Sequence, residues 1–225
     1  MRYVVLVLPS RVISSPNIKH PSGLIRSYPL DTNMMSIRQG SPQEVVHELL
    51  PSLQRSPEDP RPVVVMTCGI AGSGKTSLAK ELLRQNPSMQ RLSIDEIVAS
   101  RHGIWNIDYN PDKYSEHQDE ADVIFRQSLR NFLAHGKSDV ILDRSFYAKE
   151  DRDEFKQIVE RNGGKWVLVY LKVPREVLWG RIQRRREMEI DANSALEIST
   201  ELFEMYVKGF EHPGREGEIV VEYTV

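Results

Sequence analysis

The sequence predicts an α/β fold in which a five-stranded parallel sheet lies between two layers of helices. The main observation is that short apolar segments alternate five times with longer segments of helical periodicity, a pattern typical of crossovers between parallel strands. A second observation is that the first apolar segment, Val63 to Met66, contains no polar residue, as expected for a strand that is buried on both faces.

The predicted elements follow one another in order along the chain. Strands are predicted at residues 63–66, 91–94, 139–142, 166–173 and 218–222. Helices are predicted at residues 75–84, 116–135, 150–161, 174–187 and 195–210. Pro174 is well suited to the first turn of its helix, because this position needs no backbone N–H donor.

The composition excludes several classes of protein. The chain of 225 residues has 30 basic and 32 acidic residues, a net charge of −2, whereas a nucleic-acid scaffold is usually strongly basic. Its single cysteine, Cys68, excludes an internal disulfide framework and a zinc site built on several thiolates. No apolar run approaches the ~18 residues that cross a bilayer, so we expect a cytoplasmic protein without a membrane partner.

Residues 1–60 differ in composition from the rest of the chain, because they contain many prolines and serines. They predict a flexible or loosely packed extension with one short helix at 42–53, and the main domain is expected at 61–225. Since the first 40 residues contain five basic residues and one acid, a mitochondrial location is an alternative to the cytoplasm.

The most specific motif is GIAGSGKT at residues 69–76, which matches the pattern G-x-x-x-x-G-K-[ST] between a predicted strand and a predicted helix. Its glycines allow successive N–H groups to point at phosphate oxygens, and the helix N-terminus adds partial positive charge. Lys75 would contact the β- and γ-phosphates, and the Thr76 hydroxyl would ligate Mg²⁺. The predicted nucleotide-binding residues are Gly69, Ala71, Gly72, Ser73, Gly74, Lys75, Thr76 and Ser77.

Two aspartates follow predicted strands on the side where ligands bind in open α/β sheets. Asp95 could accept the proton of an attacking hydroxyl, or it could simply cap the next helix. The adjacent Glu96 is an alternative base. Asp143 ends an apolar strand and is predicted to hold Mg²⁺ together with Thr76, although it could exchange roles with Asp95.

An arginine cluster lies on the helix after Pro174 and comprises Arg181, Arg184, Arg185 and Arg186. Arg181 and Arg185 are four residues apart, so their guanidinium groups share a helix face and can converge on one phosphate chain. The alternatives are a basic solvent-exposed face or an RNA-contacting patch. The polar residues 187–194 that follow are predicted to form a mobile lid.

From about residue 62 to residue 223, the chain resembles the small-molecule and polynucleotide kinase branch of the P-loop kinases. This branch includes gluconate kinase, chloramphenicol phosphotransferase, 5′-polynucleotide kinases, zeta-toxin-like enzymes and AAA-type ATP-binding kinase domains. The resemblance is carried by GIAGSGKT, LSIDE (92–96), VILDRSF (140–146), the dipeptide Asp151-Arg152, VYLKVPREVLWGRIQRRR (169–186) and FEHPGREGE (210–218).

This resemblance implies a three-layer P-loop NTPase fold with a short helical arginine lid, and it implies ATP and Mg²⁺ as cofactors. It also implies catalytic roles for Lys75, for Asp95 as the base, and for Arg181 and Arg185 as lid arginines that stabilise charge in the transition state.

The predicted activity is transfer of the γ-phosphate of MgATP to a hydroxyl group of a small molecule. A polynucleotide 5′-hydroxyl kinase is an alternative, but a nucleic-acid acceptor is not favoured, because residues 61–225 hold 24 basic and 27 acidic residues. A nucleotide-dependent switch without an acceptor is another alternative.

The segment 100–117 follows Asp95 and is rich in aromatic residues, so it is expected either to bind the acceptor or to pack a loop onto the core. Arg144 and Arg152 are further candidates for holding the acceptor or a phosphate group. His102, His117 and Cys68 are assigned no chemical role.

Overall fold

A computed structural model describes residues 36–38, 40–185, 187, 191–194 and 196–223. The expectations for residues 1–35, for Arg186 and for part of the predicted lid lie outside the described residues.

The centre of the domain is a sheet of six parallel strands, one more than the sequence predicts. Their spatial order is β1-β6-β5-β2-β4-β3. The strands are β1 (Ser36–Arg38), β2 (Val63–Cys68), β3 (Gln90–Ser93), β4 (Val140–Asp143), β5 (Lys165–Lys172) and β6 (Glu218–Glu222). All six residues of β2 are buried, as predicted for a central strand that is covered by helices on both faces.

Helices cover both faces of the sheet, which confirms the predicted three-layer α/β architecture. They are α1 (Pro42–Leu49), α2 (Lys75–Gln85), α3 (Ile94–His102), α4 (Tyr114–His135), α5 (Lys149–Arg161), α6 (Arg175–Arg185) and α7 (Thr200–Gly209). Among the described residues, none of the helices has the length and apolar character needed to cross a membrane.

Helix α3 is absent from the sequence prediction, which expects a loop after residue 94. The helix has no continuous apolar face, since Val98 is its only fully buried residue. The signal that was available is a serine followed three residues later by a glutamate, at positions 93 and 96. The Ser93 side chain accepts a hydrogen bond from the Glu96 backbone N–H, which is typical of a helix N-cap.

The segment before β2 packs tightly in its described part, unlike the loose extension that the sequence predicts up to residue 60. Strand β1 pairs in parallel with β6, with Ile37 opposite Val221. Helix α1 contributes Val45, Val46 and Leu49 to an apolar cluster between the sheet and α2, and all three side chains are buried. We therefore propose that the folded domain begins at or before residue 36 rather than at 61.

If this segment belongs to the domain, replacing Leu49 by alanine should lower the free energy of unfolding by about 2–5 kcal/mol, because Leu49 is fully buried. Urea denaturation followed by circular dichroism measures this change. The matched control is Glu48→Ala, since Glu48 is exposed on the same helix. Equal unfolding midpoints for the two variants would contradict the proposed boundary.

Candidate active site

The loop between β2 and α2 has the conformation that the GIAGSGKT motif predicts. Gly72 and Gly74 adopt positive φ angles of 83° and 102°, which side chains disfavour. A Cβ atom at Gly72 would also lie 2.8 Å from the Leu178 carbonyl oxygen. Since Gly74 precedes α2 and no side chain caps this helix, its first N–H groups are available to an anion.

Lys75 begins α2, and its side chain folds back over the loop. Its Nζ donates hydrogen bonds to the carbonyl oxygens of Gly69 (2.9 Å) and Ile70 (3.1 Å). Burial lowers the pKa of the ammonium group, and the negative charge of Asp143 opposes this shift. The lysine charge is therefore held beside the free N–H groups of α2, where phosphate groups would lie.

A cleft of about 980 Å³ opens above the loop at the carboxyl ends of the central strands. Most of the predicted nucleotide-binding residues line it, namely Ala71, Gly72, Gly74, Lys75, Thr76 and Ser77. Gly69 and Ser73 are buried within the loop and do not line the cleft. The predicted catalytic and metal-binding side chains Asp95, Asp143, Arg181 and Arg185 line the same cleft. The structure thus brings together residues that are up to 114 positions apart in the chain, from Ala71 to Arg185.

Asp95 is the second residue of α3, and Ser93 rather than Asp95 caps this helix. Its side chain is exposed to the cleft, and the walls of the cleft separate it from bulk water. The resulting desolvation, together with the charge of Asp143, raises the pKa of Asp95 to about 6. A carboxyl group with this pKa is ionised at neutral pH and is basic enough to accept a proton.

Asp143 ends β4 at the base of the cleft and forms a buried ion pair with Arg91. The Nη2 and Nε atoms of Arg91 donate to Oδ2 of Asp143 at 2.6 and 3.0 Å. The same guanidinium group binds Glu96 and reaches Asn193 Oδ1 at 3.1 Å. Because Glu96 is paired with Arg91 and lies outside the cleft wall, it is less well placed than Asp95 to act as a base.

The chemistry of Thr76 and Asp143 fits a Mg²⁺ ion. Both side chains offer oxygen ligands, which this hard cation prefers. The hydrogen bonds from Arg91 use Oδ2 of Asp143, so its Oδ1 atom is available for a ligand. The role of these two residues as metal ligands stays a prediction.

The arginine cluster divides between the cleft and the solvent. Arg181 donates to the carbonyl oxygens of Gly72 (3.3 Å) and Ser73 (3.4 Å), and desolvation lowers its pKa. Arg185 lines the cleft, where desolvation also lowers its pKa while the negative charge of Asp95 opposes the shift. Arg184 is exposed and bonds to a carbonyl of its own helix.

Arg152, which the sequence offers as a candidate for holding the acceptor, has a structural role instead. Its side chain is fully buried and forms an ion pair with Glu216 at 2.7 Å. It also donates to the Phe146 carbonyl oxygen at 2.9 Å. The guanidinium group therefore holds the segment after β4 to the segment before β6, and it is not available to a ligand.

The histidines of the segment 100–117 come together in a way that their spacing does not indicate. The rings of His102 and His117 stack at a centroid distance of 3.7 Å, and ligand atoms of both lie within 4.8 Å of a Glu120 oxygen. Glu120 already forms an ion pair with Arg101 at 2.5 Å and bonds to His102 at 2.8 Å. This cluster therefore has no assigned role.

Cys68, to which the sequence analysis also assigns no chemical role, is the last residue of β2. It is buried, and desolvation raises the pKa of its thiol to about 12. The thiol therefore stays protonated at neutral pH and is a poor nucleophile.

Two solved structures share this fold at low sequence identity. A candidate kinase from Chloroflexus aurantiacus J-10-fl has a TM-score of 0.58 at 16% identity, and the match covers 72% of this chain and 88% of that chain. Kti12 from Chaetomium thermophilum, solved in complex with ADP-AlF3, has a TM-score of 0.51 at 17% identity, covering 71% of this chain and 89% of that chain. No curated protein sequence matches the chain.

The match to a family model is more direct. The model of the AAA domain matches residues 64–213, a range that begins in β2 and contains the phosphate-binding loop, Asp95, Asp143 and both cleft arginines. The matched range is more than half of the chain. The protein therefore belongs to the AAA domain family.

Proposed function

We propose that the protein transfers the γ-phosphate of MgATP to a hydroxyl group of a small-molecule acceptor. The observation that carries this proposal is the position of Asp95, a carboxyl group with a raised pKa in the same cleft as the phosphate-binding loop. A switch protein that only hydrolyses nucleotide needs no acceptor space, whereas this cleft extends beyond the loop to aromatic side chains of 105–114.

In the proposed reaction, the N–H groups of α2 and the ammonium of Lys75 hold the β- and γ-phosphates. The oxygen of the acceptor hydroxyl forms a bond to the γ-phosphorus, and Asp95 accepts the proton that this hydroxyl loses. The bond between that phosphorus and the β–γ bridging oxygen breaks, and ADP leaves.

Two of the four arginines of α6 and a metal ion would assist this step. Arg181 and Arg185 stabilise the charge that develops on the transferred group. A Mg²⁺ ion at Thr76 and Asp143 would neutralise charge on the β- and γ-phosphate oxygens when bound.

The test is a screen of ADP release by the purified protein with MgATP and one acceptor at a time. The panel contains sugars, amino sugars, nucleosides, other hydroxylated metabolites and 5′-hydroxyl oligonucleotides. We expect at least one small molecule to raise the rate of ADP release well above the rate without acceptor, and we expect Lys75→Ala to abolish this increase. If nucleotide binds but no compound raises the rate, the protein is a nucleotide switch and the proposal is wrong.

A further inference from the structure

Different elements contribute the charges that line the cleft. The cations Lys75, Arg181 and Arg185 come from α2 and α6, and their charges are balanced in part by Asp95 and Asp143. The segments around α4, α5 and residue 211 contribute three carboxylates and three aromatic rings to the lining, which we call the acceptor wall. It comprises Trp105, Tyr109, Asp119, Tyr147, Asp151 and Glu211.

Apart from the cations of α2 and α6, Arg144 is the one cation among the described cleft residues, and its charge is already compensated. Its Nη1 atom binds Oδ1 of Asp122, whose Oδ2 atom also pairs with Arg126 at 2.6 Å. Arg144 therefore lies in a network of two arginines and one aspartate, with Glu154 as a further partner of Arg126. Because its charge is balanced in this network, Arg144 attracts an anionic acceptor only weakly.

The carboxylates of the wall are less compensated. Asp119 and Asp151 form no side-chain hydrogen bond or ion pair within the part of the chain that the structure describes. Glu211 accepts one hydrogen bond from the Lys149 backbone N–H at 2.6 Å. Since ions of opposite charge are attracted to a surface that carries one sign of charge, the acceptor wall favours a cation and disfavours a phosphate.

The aromatic side chains of the wall point to the shape of the ligand. Aromatic faces pack against rings and attract ammonium groups through cation–π contacts. In addition, the indole Nε1 of Trp105 is buried without a hydrogen-bond partner among the described residues. Such an unpaired donor is unusual, and a small shift of the ring would offer it to a ligand hydroxyl.

We propose that the acceptor is a polyhydroxylated ring compound that carries an ammonium group, such as an amino sugar or an aminocyclitol. This inference rests on the proposed function and specifies its substrate class. The hydroxyl that is phosphorylated lies at Asp95, while the ammonium group lies against Asp119 and Asp151. A polynucleotide carries a negative charge at every linkage, so the same wall would repel it.

The first test compares matched acceptors by kcat/KM for acceptor-dependent ADP release. Amino sugars and aminocyclitols are assayed beside their N-acetylated forms, which keep the ring and the hydroxyls but lose the charge. We expect acetylation to lower kcat/KM at least ~10-fold, about one ion pair or cation–π contact. Turnover that is equal or better with N-acetylated, carboxylate-bearing or 5′-hydroxyl polynucleotide acceptors would overturn this inference while leaving the kinase proposal intact. No turnover with any acceptor would instead refute both.

The second test uses variants of the wall. Asp151→Asn and Asp119→Asn should each raise the KM of an amine-bearing acceptor about tenfold, with kcat and the KM of ATP nearly unchanged, because only the attraction to the ammonium group is lost. The N-acetylated acceptor should show no such increase. Asp153→Asn is the matched control, since Asp153 lies on α5 like Asp151 but does not line the cleft. Equal KM values in Asp151→Asn, Asp119→Asn and the control would exclude the assigned contact.

Discussion

Replacing Asp95 by asparagine should lower acceptor-dependent turnover at least ~100-fold while leaving the affinity for MgATP close to that of the wild type. General bases typically contribute about 10²–10⁴-fold to a rate. The amide has nearly the same shape as the carboxylate but cannot accept the proton, and the phosphate-binding loop is unchanged. Steady-state ADP release and calorimetric titration with nucleotide measure the two quantities separately.

The pH dependence provides an independent test of the same role. Because the pKa of Asp95 is raised to about 6, the carboxylate is ionised above that pH and protonated below it. We therefore expect kcat/KM for the acceptor to fall as the pH decreases through about 6, roughly tenfold for each further unit. This decrease should be absent from the residual activity of Asp95→Asn. A wild-type profile that is flat between pH 5 and 7 would contradict the assignment.

Stability distinguishes a catalytic Asp95 from a structural one. The raised pKa means that the folded protein binds a proton more tightly than the unfolded chain does, so this group costs stability as the pH rises from about 4 to 6. Asparagine has no charge to desolvate. Asp95→Asn should therefore be at least as stable as the wild type at pH 8, as measured by thermal unfolding. A variant that keeps more than about a third of the turnover would show that Asp95 is not the base, and a variant less stable than the wild type would show that Asp95 also supports the fold.

The sequence predicts the core of this fold well, and the parts it misses have physical causes. Five strands are recovered, four of them because they contain at least three consecutive apolar residues, whereas β3 (QRLS) is recovered from its place in the alternation of strands and helices. Strand β1 is missed because it has three residues, and its pairing with β6 is a contact across more than 180 positions. Helix α3 is missed because it buries a single residue fully, so its apolar periodicity is weak.

In the candidate site too, features set by adjacent residues are predicted, whereas contacts between residues far apart in the chain are not. The phosphate-binding loop is a local motif, and so the positive φ angles of Gly72 and Gly74 can be expected from the sequence alone. The pairing of Arg91 with Asp143 is not predicted, because the two residues lie on adjacent strands 52 positions apart and neither belongs to a motif with the other. The buried ion pair between Arg152 and Glu216 is also not predicted, because these two residues lie far apart in the chain. From the sequence alone, an arginine with a structural role therefore cannot be distinguished from an arginine that binds a ligand.

Replacing Lys75 by alanine should weaken both nucleotide affinity and turnover, which distinguishes it from Asp95→Asn. The ammonium group lies over the loop, held by two carbonyl oxygens, so its charge is in place before a nucleotide arrives. Preorganised charge of this kind is worth about 10²–10³ in rate. We expect acceptor-dependent ADP release to fall by at least ~100-fold and the Kd of MgATP to rise about tenfold or more.

The fold should tolerate this change, since the loss of the hydrogen bonds of the ammonium group is offset by removal of a desolvated charge, whose pKa is lowered by burial. Thermal unfolding without nucleotide should therefore change little, and the protection that MgATP gives against unfolding should largely disappear. Lys137→Ala is the matched control, because Lys137 is exposed and precedes β4 at the opposite end of the sheet from the cleft. An unaltered acceptor-dependent rate in Lys75→Ala would refute the assignment of the loop. A loss of rate with unchanged nucleotide affinity would instead show that Lys75 stabilises the transition state without contributing to nucleotide binding.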